Sequence, residues 1–349
     1  MASQASPPLR SAHVALGAVF REAWGGTVVG SYGDPAGEYR AARETAGLVD
    51  LSERGVLEAS GAQRQPFLQG MLSNEVAALR PGQGRRAALL TPKGAVQALL
   101  RVLVDETLVA LETDSERFAP LQRTLEHHRV AAPVRFAIRE TVVIAVIGPH
   151  ADEVVRAAGG ALPPATAEAH LSGSLAGRPL RIVRASDLPR GGIALHVSPE
   201  HAPAVFAELG AAGARPVGRE ALDALRVEGL RPWYGSDVSE ANLLHETGLV
   251  SECHSPTKGC YLGQEIVARL SARGGNVNKA LRGLRLSASA QAGDAISDGT
   301  REVGRVTTAA VSPRLGPIAL GYLQRSHFEA GTSVQVGGQA ARVVTVFEE

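Results

Sequence analysis

Cysteine, lysine and aromatic residues are all scarce in this chain: two cysteines, three lysines against 33 arginines, and 4% Phe, Trp and Tyr in 349 residues. Each shortage removes a class of explanation. Two thiols, Cys253 and Cys260, cannot build a disulfide framework, which suits a reducing compartment. Cys253, His254 and Cys260, with His245 upstream, give a C-x6-C spacing outside the usual zinc knuckle, and no second pair of cysteines completes it. No run of about 18 apolar residues is available to cross a membrane. A net charge of +1 provides no global pull toward nucleic acid or membranes, although a local basic groove stays compatible with it. There is no Walker A loop, no G-x-G-x-x-G following a strand and no G-x-S-x-G elbow. Residues 1–21 lack acids and are rich in Ala, Ser and Arg; they read as a frayed start leading into a first helix rather than a transit peptide, and the protein is expected in the cytoplasm.

What is present is ordinary for a globular protein, 44% hydrophobic and 20% charged, and long enough for two or three domains. Val56–Ser60 reads as a strand, residues 62–72 as a helix with Phe67, Leu68, Met71 and Leu72 on one face, and Arg86–Leu90 as a strand. Thr91-Pro92-Lys93-Gly94 is a hairpin connection to a long strand, Val96–Val104, and another strand follows over 107–111. A helix over 115–129 and strands at Val134–Ile138 and Val142–Ile147 complete the split βαβ succession of a ferredoxin-like unit. A second, looser α+β half follows. Residues 157–177, rich in Ala, Gly, Pro and Ser, read within it as a mobile surface insertion. Residues 281–349 hold short strands between regularly spaced turns, as in a small antiparallel barrel. The expected fold class is therefore α+β: two ferredoxin-like α/β subdomains, about 10–140 and 141–278, and a C-terminal β-barrel over 279–349.

One octapeptide concentrates reactive groups: Lys258-Gly259-Cys260-Tyr261-Leu262-Gly263-Gln264-Glu265. A lysine two residues from a thiol, just ahead of a helix start at Gly263-Gln264, is a setting that lowers a thiol pKa. The competing reading is a buried cysteine acting as a small hydrophobe on a tight turn.

K-G-C-Y-x-G-Q-E resembles the signature of the YgfZ-type folate-binding proteins, relatives of the aminomethyltransferase (T-protein) of the glycine cleavage system. Weaker similarity lies at residues 43–55, 218–235 and 302–323. The resemblance implies a tetrahydrofolate (or related folate) ligand and a role in assembling or repairing iron–sulfur clusters, and through these in tRNA modification. The implied partners are iron–sulfur cluster proteins or assembly factors, with no membrane and no direct nucleic-acid contact. It implies Cys260 as the reactive thiol, at the rim of a central pocket and tuned by Lys258. Arg226 and Glu228 are carried over as partners for the folate's carboxylate tail or pterin amides, and Lys258, Tyr261, Gln264, Glu265 and Arg269 as further cofactor-binding positions; no metal ligands are expected.

Two departures from the transferase pattern stand out. The strand after the hairpin, where the T-protein carries its catalytic aspartate, reads Ala95-Val96-Gln97-Ala98-Leu99-Leu100-Arg101 and holds no carboxylate. Asp187-Leu188-Pro189-Arg190-Gly191-Gly192 stands where a T-G-E segment is expected. A classical enzyme is therefore not expected. The alternatives are a one-carbon transferase drawing a carboxylate from elsewhere in the chain, and a non-catalytic scaffold.

Overall fold

Every residue of the strand Val142–Ile147 is buried, as an unbroken Val/Ile/Ala run requires when both faces of a sheet are covered. The computed structural model describes residues 7–23 and 26–347; the first six residues of the 1–21 stretch lie outside these, and a short helix, Arg10–Ala15, follows them. Val142–Ile147 belongs to a six-stranded sheet in the order His170–Leu175, Arg178–Arg184, Gly192–Val197, Val142–Ile147, Gly47–Asp50, Arg215–Pro216. A second sheet has five antiparallel strands in the order Gly84–Leu90, Val96–Val104, Leu108–Asp114, Arg54–Ser60, Arg135–Arg139. Each sheet is backed by helices. Leu68, Leu72, Leu121 and Leu125 pack on Leu57, Leu100 and Leu111 of the five-stranded sheet, while Val155, Phe206 and Leu209 pack on Ile144, Val146 and Leu195 of the six-stranded one. The opposite faces meet through Val56, Leu103 and Ala110 against Val49, Val143, Ala145 and Ala194.

The five-stranded sheet has a ferredoxin-like arrangement with the hairpin strand Gly84–Leu90 added at its edge, whereas Val142–Ile147, read with this unit from the sequence, pairs in the six-stranded sheet. The six-stranded sheet takes in Gly47–Asp50, from before the first unit, between Val142–Ile147 and Arg215–Pro216. Residues 157–177 are not a loose insertion. His170–Leu175 pairs along its whole length with Arg178–Arg184, and Glu168, Ala169 and His170 are buried. Its small residues suit a twisted edge hairpin, and the buried Glu168 ties the segment to the charged centre of the molecule.

The C-terminal region closes into a six-stranded antiparallel barrel, Lys279–Leu286, Gly316–Gln324, Glu302–Ser312, Ala295–Ser297, Ser333–Val336 and Gln339–Val344, around Leu284, Ile296, Val306, Leu323 and Val343. The helix Arg219–Glu228 lies between barrel and sheets, and eight of its ten residues are buried.

Candidate functional site

The meeting faces of the two sheets are apolar except at one place. Arg101, in the middle of Val96–Val104, sits directly opposite Glu112 on one neighbouring strand and Arg86 on the other. Two guanidiniums side by side would repel; Glu112 on the neighbouring strand, and Glu168 and Asp187 from loops that flank strands of the six-stranded sheet, offset this. The Arg101 guanidinium donates to Glu112, Glu168 and Asp187, each through a different nitrogen. Arg54 donates to Asp187 at 2.9 Å and to Glu112 at 3.3 Å. His196 Nε2 reaches Glu112 at 2.7 Å. Burial opposes the ionised form of Glu112 and Asp187, but the arginines outweigh it and hold both carboxyls well below the usual range. They stay anionic and committed, so neither is free to accept a proton.

Beside this cluster lies a chamber lined by Arg54, Arg86, Arg101, Asp114, Trp233 and Tyr234, among others, with a volume of about 30 Å³. Asp114 differs from its neighbours. Among the described residues its carboxyl has no ion pair and no hydrogen bond to another side chain. Burial pushes it up to about 7 against the pull of Arg54. Trp233 is 7% exposed. The guanidiniums of Arg219, Arg54 and Arg226 lie 4.5, 5.0 and 5.3 Å from its ring centroid, and its indole N–H is buried without an acceptor.

Arg226 and Glu228 lie elsewhere. Arg226 is 1% exposed and donates to Asp223 at 2.7 Å, Asp237 at 2.5 Å and the Thr308 hydroxyl at 2.7 Å. Glu228 accepts from Tyr39 at 2.7 Å and from Ser312, with Arg314 at 3.4 Å. Both tie the Arg219–Glu228 helix to the barrel strand Glu302–Ser312, and neither lines the chamber. The resemblance implies a folate tail or pterin amide as the partner of both; in this structure their hydrogen bonds run to the barrel and neighbouring side chains.

The signature loop is also built by specific contacts. Lys258 Nζ donates to the carbonyls of Gln69 at 2.6 Å, Asn74 at 3.1 Å and Leu72, gathering groups at and beyond the C-terminus of the helix Arg64–Met71, where a cation is favoured. Burial pulls its pKa down to about 8. The ammonium lies 4.9 Å from the centroid of the Tyr261 ring. Gly263 has φ +77°, and a Cβ there would run into the carbonyl oxygen of Thr91, so only glycine lets the loop dock on the 91–95 hairpin. Gln264 Oε1 accepts from the Tyr261 N–H at 3.2 Å. Glu265 pairs with Arg269 at 2.6 Å, one turn along the exposed face of the helix Gln264–Ala272. Cys253 is buried and its thiol is pushed up to about 11; Cys260 is exposed.

The structure thus brings Lys258, Tyr261 and Gln264 together as the frame of the loop that displays Cys260, but not around the chamber. Larger cavities of about 570, 740, 490 and 690 Å³ are present, and Cys260 lines neither these nor the chamber. The expected thiol at the rim of a central pocket is therefore not found, and Lys258 spends its three protons on carbonyl oxygens. Arg54, Arg86, Arg101, Glu112, Asp114 and Trp233 escaped the sequence reading. The available signal was a charge inside an apolar run, Arg101 in Val96–Val104 and Glu112 after Leu108–Leu111.

The Trp233 indole N–H, with no acceptor, is the one buried side-chain polar atom of the chamber lining among the described residues that lacks a partner. The free volume of about 30 Å³ suits a water or two, so the chamber as it stands has no room for a pterin ring. Among the described residues no three or more His, Cys, Asp or Glu side chains are grouped to hold a metal ion, and no helix is long and apolar enough to cross a membrane.

The GCVT N-terminal domain matches residues 9–255, and the glycine cleavage T-protein C-terminal barrel domain matches 279–346. The aminomethyltransferase of Saccharopolyspora erythraea is 30% identical, over 96% of this chain and 94% of that protein. A putative chloroplastic transferase of Arabidopsis thaliana is 27% identical, over 85% and 70%. The crystal structure of the glycine cleavage system aminomethyltransferase T from Bartonella henselae superposes with a TM-score of 0.89 over 97% of this chain and 96% of that one, at 22% identity, and so shares its fold. With both its core and its barrel matched, this chain belongs to the family of the glycine cleavage T-protein.

Proposed function

We propose that this chain is a non-transferase, YgfZ-type member of that family, which binds a reduced folate in its central chamber and serves iron–sulfur proteins through the displayed thiol of Cys260. The observation that carries the proposal is the strand after the 91–95 hairpin. From Ala95 to Arg101 it carries no carboxylate, Leu99 lining the chamber, while Glu112 and Asp187 are locked to Arg101 and Arg54. Transfer of a one-carbon group needs a base free to manage the folate's proton, and the paired acids cannot serve. Cys260 is exposed on a loop fixed by Lys258, Gly263 and Gln264, a geometry suited to meeting another protein's cluster or its assembly factor.

Calorimetry with reduced folates tests the ligand, with saturable binding expected; its absence would leave the scaffold reading. Complementation of a strain lacking the protein tests the thiol: Cys260→Ser is expected to lose iron–sulfur enzyme activity at unchanged protein level, and full rescue would remove the thiol from the mechanism. One observation favours the second reading, folate-dependent one-carbon transfer: Asp114 is a chamber carboxyl with no side-chain hydrogen bond or ion pair among the described residues, and burial pushes it up to about 7. Turnover with an aminomethyl donor, abolished in Asp114→Asn, would establish it in place of the first.

A further inference from the structure

Beside the loop that displays Cys260, a groove of about 690 Å³ runs between the 91–95 hairpin, the helix Phe118–His128 and Leu262. Leu90, Pro92 and Leu262 give it apolar walls, and Gln97 of the strand Val96–Val104 also lines it, its Oε1 buried with no donor. Leu262 is two residues from Cys260, so their Cα atoms lie within about 7 Å. The rim is cationic. Arg123, exposed on the helix, makes no ion pair among the described residues. Lys93, exposed next to Pro92 on the hairpin, makes no hydrogen bond or ion pair there either, whereas Lys258 and Lys279 both donate to carbonyls. The one carboxylate of the lining, Glu126, is already paired with Arg129 at 2.7 Å. No Phe, Tyr or Trp lines the groove.

We propose that this groove is the docking surface for an acidic segment of a partner protein, which seats an apolar side chain against Leu90 and Leu262, sets carboxylates against Arg123 and Lys93, and so brings its own sulfur or cluster to Cys260. The inference rests on the reading of Cys260 as the displayed thiol, and it says where the thiol's partner sits. Complementary charge steers the encounter and rejects wrong partners, while the apolar contact gains from leaving water. Two copies of this chain meeting groove to groove would set Arg123 and Lys93 against their own counterparts and repel. Nucleic acid is also an anion, but single strands gain their affinity by stacking bases on aromatic side chains, which this lining lacks.

Cys253 is buried, so Cys260 is the thiol at the surface and itself reports docking. The probes are peptides of equal length, each with a leucine flanked by Glu, Gln or Lys and one cysteine activated as its 2-pyridyl disulfide. The Cys260 thiolate attacks the peptide sulfur, the protein–peptide disulfide forms, and the departing sulfur takes up the proton and leaves as 2-thiopyridone, read by its absorbance. On the full-length protein the Glu peptide is expected to react at least about tenfold faster than the Lys peptide, with the gap narrowing as salt rises. Arg123→Glu combined with Lys93→Glu is expected to remove or reverse the preference, whereas Arg342→Glu, exposed on the barrel, keeps it. Each variant is expected to react with 2,2′-dipyridyl disulfide at the wild-type rate, which shows that fold and thiol are unchanged. A Glu preference that is missing, or that survives the double reversal, overturns the docking surface and leaves the thiol reading to the complementation test. If the preference is present and Cys260→Ser still fully rescues the deficient strain, the surface stands and the thiol reading falls. If a single-stranded RNA oligonucleotide slows the Glu peptide more than an equal amount of that peptide lacking its cysteine, the occupant is nucleic acid and the proposal falls.

Discussion

The chamber and the signature loop each bury a long cation, and they neutralise it by different means. Arg101 is 3% exposed and meets three carboxylates, one from a neighbouring strand and two from loops. Lys258 meets three backbone carbonyls beside a helix end and an aromatic face, with no carboxylate bonded to it among the described residues. The planar fork of a guanidinium spreads its donors over fixed, separated acceptors, whereas an ammonium is a compact charge that carbonyl dipoles can surround. The first arrangement couples distant segments: residues 101, 112, 168 and 187 come from four different strands or loops. The second fixes a short loop against one helix. Shared charge holds the domain together in one place, and local dipoles display a residue in the other.

The largest way to break this comparison is Arg101→Met. Removing the cation leaves Glu112, Glu168 and Asp187 buried without it, and a cost of about 3–5 kcal/mol is expected in denaturant unfolding. Glu112 and Asp187 have depressed folded pKa values, so their contribution is present above the unfolded pKa near 4 and is lost as pH falls below it. The gap between wild type and variant should therefore narrow below about pH 4; a gap independent of pH would mean that packing, not charge, sets it.

Lys258→Met ranks next, at about 2–3 kcal/mol, because three carbonyls lose a charged donor. Lys258→Arg should not restore stability, since a fork does not fit the compact cluster of acceptors; full recovery on thermal melting would overturn the dipole account. Asp114→Asn works in the opposite direction. A folded pKa near 7, above the unfolded value, imposes a penalty that is absent below about pH 4 and complete above about pH 7. The variant is expected to be more stable than wild type by roughly 1–3 kcal/mol at pH 8, and equal to it at pH 4. The smallest effect is that of Cys260→Ser, within about 0.5 kcal/mol at an exposed position, which separates the thiol's function from the loop's architecture.

Much of the fold was legible because hydrophobic period and turn chemistry are local. Val96–Val104 and Val142–Ile147 have the boundaries their apolar runs suggest, and the barrel follows from regularly spaced turns. The stretch 157–177 misled because small residues look loose in one dimension, and only pairing with Arg178–Arg184 gives them a place. Arg226 and Glu228 were legible only as restricted positions, for a related reason. A resemblance marks a position as restricted without saying whether a ligand or a neighbouring domain restricts it, and here the barrel takes their bonds.

By itself the sequence determined the periodic elements, the two-part core with its barrel, and the glycine and lysine that make the signature loop possible, since these depend on neighbours within a few residues or on a single backbone angle. Only the tertiary structure decided which charges meet. Arg101 and Glu168 are 67 residues apart and Arg101 and Asp187 are 86, and the free energy of a buried charge is set by partners that folding alone brings within reach. The same dependence singles out Asp114, a carboxyl with no side-chain partner among the described residues, where Glu112 and Asp187 are engaged by arginines.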